Sequence, residues 1–153
     1  MATDVKAQLR TDLTTAMKAR DQLTSATLRM VLTALTNEEV SGKESKTLTD
    51  ADVVTVLGRE AKKRREAASA YIAAKRPELA DRENAELGVI QRYLPAQLTD
   101  AEITELVSIA IADTGASGPQ GMGQVMKVVQ PKVAGRADGG KVAAEVKRQL
   151  LSS

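Results

Sequence analysis

Apolar residues recur at a spacing near 3.6 positions along almost the whole chain, and this periodicity constrains the fold more than any other feature of the sequence. In the first segment, for example, Val5, Leu9 and Leu13 fall on one face of a helix. Strict alternation of apolar and polar residues, which would indicate a strand, is hard to find over strand lengths. The pattern therefore predicts an all-α protein.

Capping residues and prolines predict where the helices of the first half begin and end. Thr3 stands where an N-cap would accept from first-turn N–H groups, and a second helix is expected to begin near Thr24 or Ser25. The sequence Thr49-Asp50-Ala51-Asp52 predicts the start of a long third helix, with carboxylates where the helix dipole favours them. Pro77 suits the first position of a helix but not its interior, so a fourth helix is expected to begin there.

The segment Pro95 to Leu98 predicts a boundary between two domains. The proline ends the fourth helix, and Thr99 and Glu102 form a capping box that starts the next one. We therefore predict an N-terminal α-helical bundle over residues 1–94 and a small C-terminal helical domain over residues 95–153.

Glycines and prolines also divide the C-terminal part. Gly115 is expected to end a helix in the left-handed conformation, and Pro131 to kink or break a short helix before Gly135. Asp138 is the expected cap of the last helix. The glycine-rich stretch from Gly118 to Gly123 lacks the Gly-Lys-Ser/Thr ending of a phosphate-binding P-loop and follows a helix, which indicates a connector.

The side chains that are absent exclude several kinds of chemistry. The 153 residues include no His, no Cys, no Trp and no Phe, and only two Tyr. Without Cys or His there is no thiolate nucleophile, imidazole base, disulfide or usual zinc site. An aromatic content of 1% leaves too few rings to stack a row of unpaired bases. We therefore predict no catalytic residue and no cofactor.

Two further features bear on metals and on location. Glu83 and Glu86 lie one turn apart, a spacing that in diiron bundles occurs together with His, so without His we predict no metal site. No apolar run reaches the roughly 18 residues that span a bilayer. The lack of Cys fits a reducing compartment. We therefore predict a cytoplasmic protein with no membrane association.

Positive charge is concentrated at the C-terminal end. The whole chain has a formal net charge of +2, but the residues from Gly118 to Ser153 alone carry +4, which leaves about −2 on the preceding 117 residues. Two interpretations are open, a solvated surface with a modest bias or a site that binds a phosphate backbone. The candidate phosphate contacts are Lys127, Lys132, Arg136, Lys141, Lys147 and Arg148.

A second basic cluster occupies the third helix between Arg59 and Glu66. Its side chains fan around the helix axis, and Glu60 is expected to pair with Arg64 four residues on, while Arg59 and Lys63 share a face with Glu66. The cluster is therefore interpreted mainly as a solvated helix side. The functional alternative is a nucleic-acid or partner-protein patch, whose residues would be Arg59, Lys62 and Lys63.

A set of motifs occurs in order over nearly the whole chain: Lys62-Lys63-Arg64, Tyr71, Arg76, Glu78-Leu79-Ala80, Glu83, Glu86-Leu87, Tyr93-Leu94-Pro95, Gln97-Leu98, Glu102, Gly123, Val125-Met126 and Gly135-Arg136-Ala137-Asp138-Gly139. With these motifs the chain resembles the YqeY-like proteins of the GatB/YqeY family. The most specific pieces are the Tyr-Leu-Pro joint, the Gly-Gln-Val-Met segment and the Gly-Arg-Ala-Asp-Gly turn. Departures are Gln124, where the family often has Lys, and the Arg76-Pro77 junction.

This resemblance implies two all-α parts, the second similar to the tail domain of the B subunit of the glutamyl/aspartyl-tRNA amidotransferase. In that enzyme a catalytic cradle performs the kinase and transamidation steps with glutamine as amide donor, and the tail engages tRNA. The chain looks like the tail with a helical extension and without the cradle. The carbon–nitrogen ligase activity associated with the family is then expected to describe the larger enzyme, because similarity of fold does not transfer chemistry.

These observations lead to three hypotheses. The first is a non-catalytic accessory that binds tRNA or another structured RNA through backbone and shape, with Arg136 as the best single contact because it lies in a turn beside a helix start. The second is an adaptor that docks on an amidotransferase, a synthetase or another partner. The third is a contribution to a glutamine-dependent carbon–nitrogen ligase.

Overall fold

The computed structural model describes residues 4–152, which form seven α-helices and contain no strand. The all-α fold is therefore confirmed. The chain divides into two compact units between Leu94 and Pro95. In chain order the helices are α1 (Val5–Lys18), α2 (Gln22–Glu39), α3 (Asp50–Ala73), α4 (Pro77–Gln91), α5 (Asp100–Thr114), α6 (Met122–Val133) and α7 (Gly139–Ser152).

The N-terminal unit packs α1 to α4 around one aliphatic core. The third and fourth helices form its most extensive pairing, and α1 packs mainly against α2. Each helix contributes a stripe at helical spacing, as the sequence predicts. The buried core residues are Leu9, Leu28, Val31, Leu35, Val53, Val56, Leu57, Ala61, Val89 and Ile90.

The helix starts expected at Thr49 and Pro77 are confirmed. Thr49 accepts from the N–H of Asp52 at 3.1 Å, and the Asp52 carboxylate accepts from the N–H of Thr49 at 3.0 Å, which completes a capping box. Pro77 is the first residue of α4, where its missing N–H leaves no helical hydrogen bond unmade.

The first two helices begin differently from the sequence expectation. The side chain of Asp4 caps α1 by accepting from the N–H of Ala7, whereas the expected cap, Thr3, lies outside the described residues. The second helix begins at Gln22, and not near Thr24 or Ser25, because the Asp21 side chain already caps it.

Arg20 sets the sharp connection between α1 and α2. It adopts φ +60°, in the left-handed region that favours glycine, and its N–H donates to the Met17 carbonyl at 3.1 Å. This conformation ends α1 and lets Asp21 cap α2 with no further linker. An arginine in this conformation gives no recognisable turn signal in the sequence, which explains the misplaced start.

Three charged side chains lie buried inside the N-terminal unit. Arg64 donates from Nη1 to Glu60 Oε1 at 3.0 Å, which confirms the predicted pair, and its Nε lies 3.9 Å from Glu86 Oε2. All three residues are less than a tenth exposed. Buried Arg64 Nε has no hydrogen-bond partner among the described residues, so its contact with Glu86 is an ion pair without a hydrogen bond.

Burial shifts the protonation equilibrium of the Glu86 carboxyl. Burial raises the pKa of the Glu86 carboxyl, the nearby Glu83 carboxylate raises it further, and Arg64 opposes the shift. The folded protein therefore holds a proton on Glu86 more tightly than the unfolded chain does. The resulting stabilisation is present at low pH and is lost as the pH rises from the ordinary carboxyl pKa through the raised folded value.

We predict that Glu86→Gln reduces the loss of folding stability with rising pH, because the neutral amide keeps the shape of the side chain without a buried charge. The free energy of unfolding of E86Q, relative to the wild type, should rise between about pH 4 and about pH 7. Urea titrations across this range measure it, with Asp81→Asn as the control, an exposed carboxylate on the same helix. A relative stability of E86Q that is flat with pH would contradict this role of Glu86.

The C-terminal unit packs α5, α6 and α7 around a second aliphatic core. Thr99 and Glu102 form the predicted capping box, with both hydrogen bonds at 3.1 Å, and Gly115 ends α5 at φ +66°. Pro131 lies within α6, which continues through it as far as Val133. The buried core residues are Ile103, Val107, Ala110, Val125, Val129, Val133, Val142, Val146 and Leu150.

Within residues 4–152, no helix is long and apolar enough to cross a membrane.

Candidate nucleic-acid interface

Three of the six basic residues predicted in the C-terminal unit are exposed and have no acidic partner within the described chain. Lys127 and Lys132 lie on α6, which turns its valines inward, and Lys147 lies on α7. None of the three lysines forms an ion pair with any residue in the described part of the chain. Their charges are therefore available to an external anion.

Lys141 and Arg148, by contrast, are paired with carboxylates. Lys141 Nζ lies 2.6 Å from Asp100 Oδ1, and Arg148 contacts Glu145 with Nε at 2.5 Å and Nη2 at 2.9 Å. The Arg148 hydrogen bond lowers the pKa of the Glu145 carboxyl, which keeps it ionised. An incoming phosphate would have to compete with these carboxylates.

These two ion pairs border a groove between α5 and α7. The groove has a volume of about 280 Å³, and Ile103 and Ala144 give it apolar walls. It contains two basic and two acidic side chains, so its charges cancel. The list of six candidate cations overlooks this cancellation, since Asp100 lies outside the basic segment from Gly118 to Ser153.

Arg136 holds the start of the C-terminal unit in place. Its Nε donates to the Ala96 carbonyl at 3.1 Å, and its own carbonyl accepts from the N–H of Leu98 at 2.8 Å. The Gln97 side chain joins the same two segments, since it donates to the Gly135 carbonyl at 2.9 Å. Arg136 is half-buried, and the structure therefore gives it a role in fastening the segment before α5 to the turn before α7.

The helix start beside Arg136 already has an anionic group. The Asp138 carboxylate accepts from the N–H of Gly140 at 3.0 Å, and the Asp138 carbonyl accepts from Val142, which confirms Asp138 as the cap of α7. The first-turn N–H groups that would favour a phosphate near Arg136 are thus partly used within the chain.

The secondary basic patch is also tied to carboxylates. Arg59 Nη2 lies 3.1 Å from Glu38 Oε2, and Lys63 Nζ lies 3.0 Å from Glu60 Oε2. The hydrogen bond from Arg59 lowers the pKa of the Glu38 carboxyl. Lys62 is exposed on the same helix. Arg59 thus contacts α2, because the packing of α2 on α3 brings Glu38 close, whereas Lys63 pairs with Glu60 on its own helix.

The described residues contain no group of three or more Asp and Glu side chains arranged to hold a metal ion.

Comparison with known proteins adds the family. A family model described as Yqey-like protein matches residues 6–150. The chain belongs to the YqeY-like family. The match extends through both units and includes all the basic residues considered above.

Relatives of this YqeY-like protein occur in yeasts. An uncharacterized protein of Schizosaccharomyces pombe is 32% identical over 93 residues, which are 60% of this chain and 73% of the relative. The protein named altered inheritance of mitochondria protein 41, mitochondrial, is 36% identical over 89 residues in Vanderwaltozyma polyspora, 56% of this chain and 46% of the relative. The protein of the same name in Lachancea thermotolerans is 29% identical over 154 residues, 96% of this chain and 81% of the relative. The chain therefore spans about half the length of some relatives and most of others.

The contacts of Arg136 predict a loss of stability in Arg136→Ala. Removing the hydrogen bond to Ala96 should lower the free energy of unfolding of the C-terminal unit by about 1 kcal/mol. Lys132→Ala, which removes an exposed cation from the same unit, should change it by less than about 0.5 kcal/mol. Amide hydrogen exchange of the α5 and α7 cores in the full-length protein measures both values. Equal stability of the two variants would show that Arg136 does not fasten this segment.

Proposed function

We propose that this YqeY-like protein is a non-catalytic accessory that binds the phosphate backbone of tRNA. The observation that carries the proposal is the set of exposed lysines in the C-terminal unit, Lys127, Lys132 and Lys147, that lack acidic partners among the described residues. Such lysines displace counterions from a nucleic acid without first breaking an internal ion pair.

The aromatic residues favour contact with the backbone over stacking on bases. Tyr93 donates its hydroxyl to Asp12 at 2.5 Å, and burial raises its pKa, so the phenol is used inside the N-terminal unit. Tyr71 is the other tyrosine of the sequence. Two rings, one of them engaged internally, do not make a platform for a row of bases.

The resemblance to the amidotransferase tail supports tRNA as the RNA. The tail of that enzyme engages tRNA, and the basic end of this chain corresponds to the part with that resemblance. The carbon–nitrogen ligase chemistry associated with the family lies outside the proposed function, because the sequence offers neither a Cys nucleophile nor a His base.

The compartment is part of the same proposal. The sequence predicts the cytoplasm, whereas the named relatives from two yeasts are mitochondrial proteins. Both compartments contain tRNA, so the proposed ligand is present in either. We propose that the protein is located where tRNA is aminoacylated, and microscopy of the tagged full-length protein in its own cells tests this.

The adaptor hypothesis gives a different expectation. A protein partner that docks on the N-terminal unit would be bound with a weak dependence on salt, and the lysines of the C-terminal unit would not matter. Binding of RNA phosphates instead predicts a strong dependence of affinity on salt and a loss of affinity when these lysines are replaced. A salt series on the wild type and on the lysine variant therefore separates the adaptor hypothesis from RNA binding.

We predict that replacing Lys127, Lys132 and Lys147 together by Ala weakens binding to total tRNA. The slope of log affinity against log salt should fall by roughly one for each lysine–phosphate pair removed, and so by about two to three. The control is Lys141→Ala with Arg148→Ala, which removes two cations that carboxylates already neutralise. Its slope should change by less than about one. The measurement is fluorescence anisotropy with labelled tRNA across a salt series.

Two results would contradict the proposal. One is the absence of binding by the wild-type protein at low salt. The other is a larger loss of affinity in the control than in the triple variant.

A further inference from the structure

The N-terminal unit contains a groove where the end of α1 meets the start of α2. It is open and has a volume of about 520 Å³, and none of the basic residues predicted from the sequence lines it. The residues that line it are Met17, Arg20, Gln22, Ser25, Ala26 and Arg29.

Two arginines face this groove without acidic partners. Arg20 reaches it from the left-handed turn after α1, and Arg29 lies on α2, seven residues after Gln22, at a rise of about 10 Å along the helix. Both arginines are exposed, and neither forms an ion pair with any residue of the range 4–152. Two arginines without a compensating carboxylate therefore line the same groove.

The nearest carboxylate in the sequence is committed elsewhere. Asp21 accepts from the N–H of Thr24 at 3.0 Å and from its hydroxyl at 2.7 Å, and these hydrogen bonds lower the pKa of Asp21. The Asp21 side chain borders a separate cavity, which it shares with Arg92 and Tyr93. Since no Asp or Glu lines the groove, its charge contrasts with the cancelled charge of the α5–α7 groove.

We propose that this groove binds phosphate groups of an RNA backbone, one at each arginine, and so gives the N-terminal unit its own contact with the RNA. The inference rests on the proposed function and extends it from the C-terminal unit to a second site. Guanidinium groups bind phosphate oxygens in a bidentate manner, and Gln22 adds an amide donor at the same groove. Met17, half exposed, and Ala26 supply apolar surface beside the charged groups, which suits a ribose.

The chain offers a matched pair of variants for the test. Arg20→Gly with Arg29→Ala removes both groove charges, and glycine suits the positive φ of Arg20. The control is Lys75→Gly with Arg82→Ala. Lys75 is an exposed cation at φ +61° in the connection between α3 and α4, and Arg82 is an exposed arginine on α4. Each pair removes two positive charges and one positive-φ side chain from the same unit.

The experiment measures binding of total tRNA by the full-length proteins across a salt series, after their folding has been checked by circular dichroism. The groove variant should lose about two from the slope of log affinity against log salt, and the control less than about one. Arg29→Ala alone, which leaves the turn unchanged, should lose about one.

The outcomes separate this inference from the function on which it rests. If the groove variant and its control bind alike, while the triple lysine variant of the C-terminal unit is weakened, the groove is not an RNA site and the proposed function stands. If the wild-type protein does not bind tRNA at low salt, both are overturned. If the groove variant loses binding to poly-aspartate but not to tRNA, the groove takes an acidic protein segment and the inference is wrong.

Discussion

The burial of one aliphatic stripe per helix is the interaction on which the rest of this structure depends. The sequence has no Phe, Trp, Cys or His, so both cores consist of Leu, Val, Ile and Ala. Each buried Leu, Ile or Val contributes about 1.5 to 3 kcal/mol relative to exposure, and only dense packing makes these contributions add up. Buried alanines such as Ala61, Ala80 and Ala110 leave room for the close approach of neighbouring helices.

A protein built in this way has charge as its main means of recognition, and the pairing of charges decides which of them are available. Ion pairs across helices use Arg59 and Lys141, and Arg148 is held by Glu145 one turn away. What remains for an external anion is a smaller set than the composition indicates. Among the cations without an acidic partner in residues 4–152, those proposed to contact RNA are the lysines of α6 and α7 and the arginines of the α1–α2 groove. Both groups fit a ligand recognised by its phosphates.

Local features were predictable from the sequence, whereas contacts between helices were not. The caps at Thr49, Thr99 and Asp138 follow from short-range rules, and so does the pair of Glu60 with Arg64. The start of α2 was missed because Arg20 adopts a conformation for which its residue type gives no signal. The pairs Lys141–Asp100 and Arg59–Glu38 join residues far apart in the chain, so no local pattern shows them. For the candidate site, this means that the basic residues could be predicted but their availability could not.

The most direct test of the central claim, that the exposed lysines of α6 and α7 contact RNA, is the rate at which each lysine of the full-length protein is acetylated with and without tRNA. Mass spectrometry after limited acetylation reports every lysine in one sample. We predict that tRNA slows modification of Lys127, Lys132 and Lys147 at low salt, that high salt removes this protection, and that Lys75 reacts equally in both samples. Unchanged rates at Lys127, Lys132 and Lys147, or equal protection of Lys75, would contradict the claim.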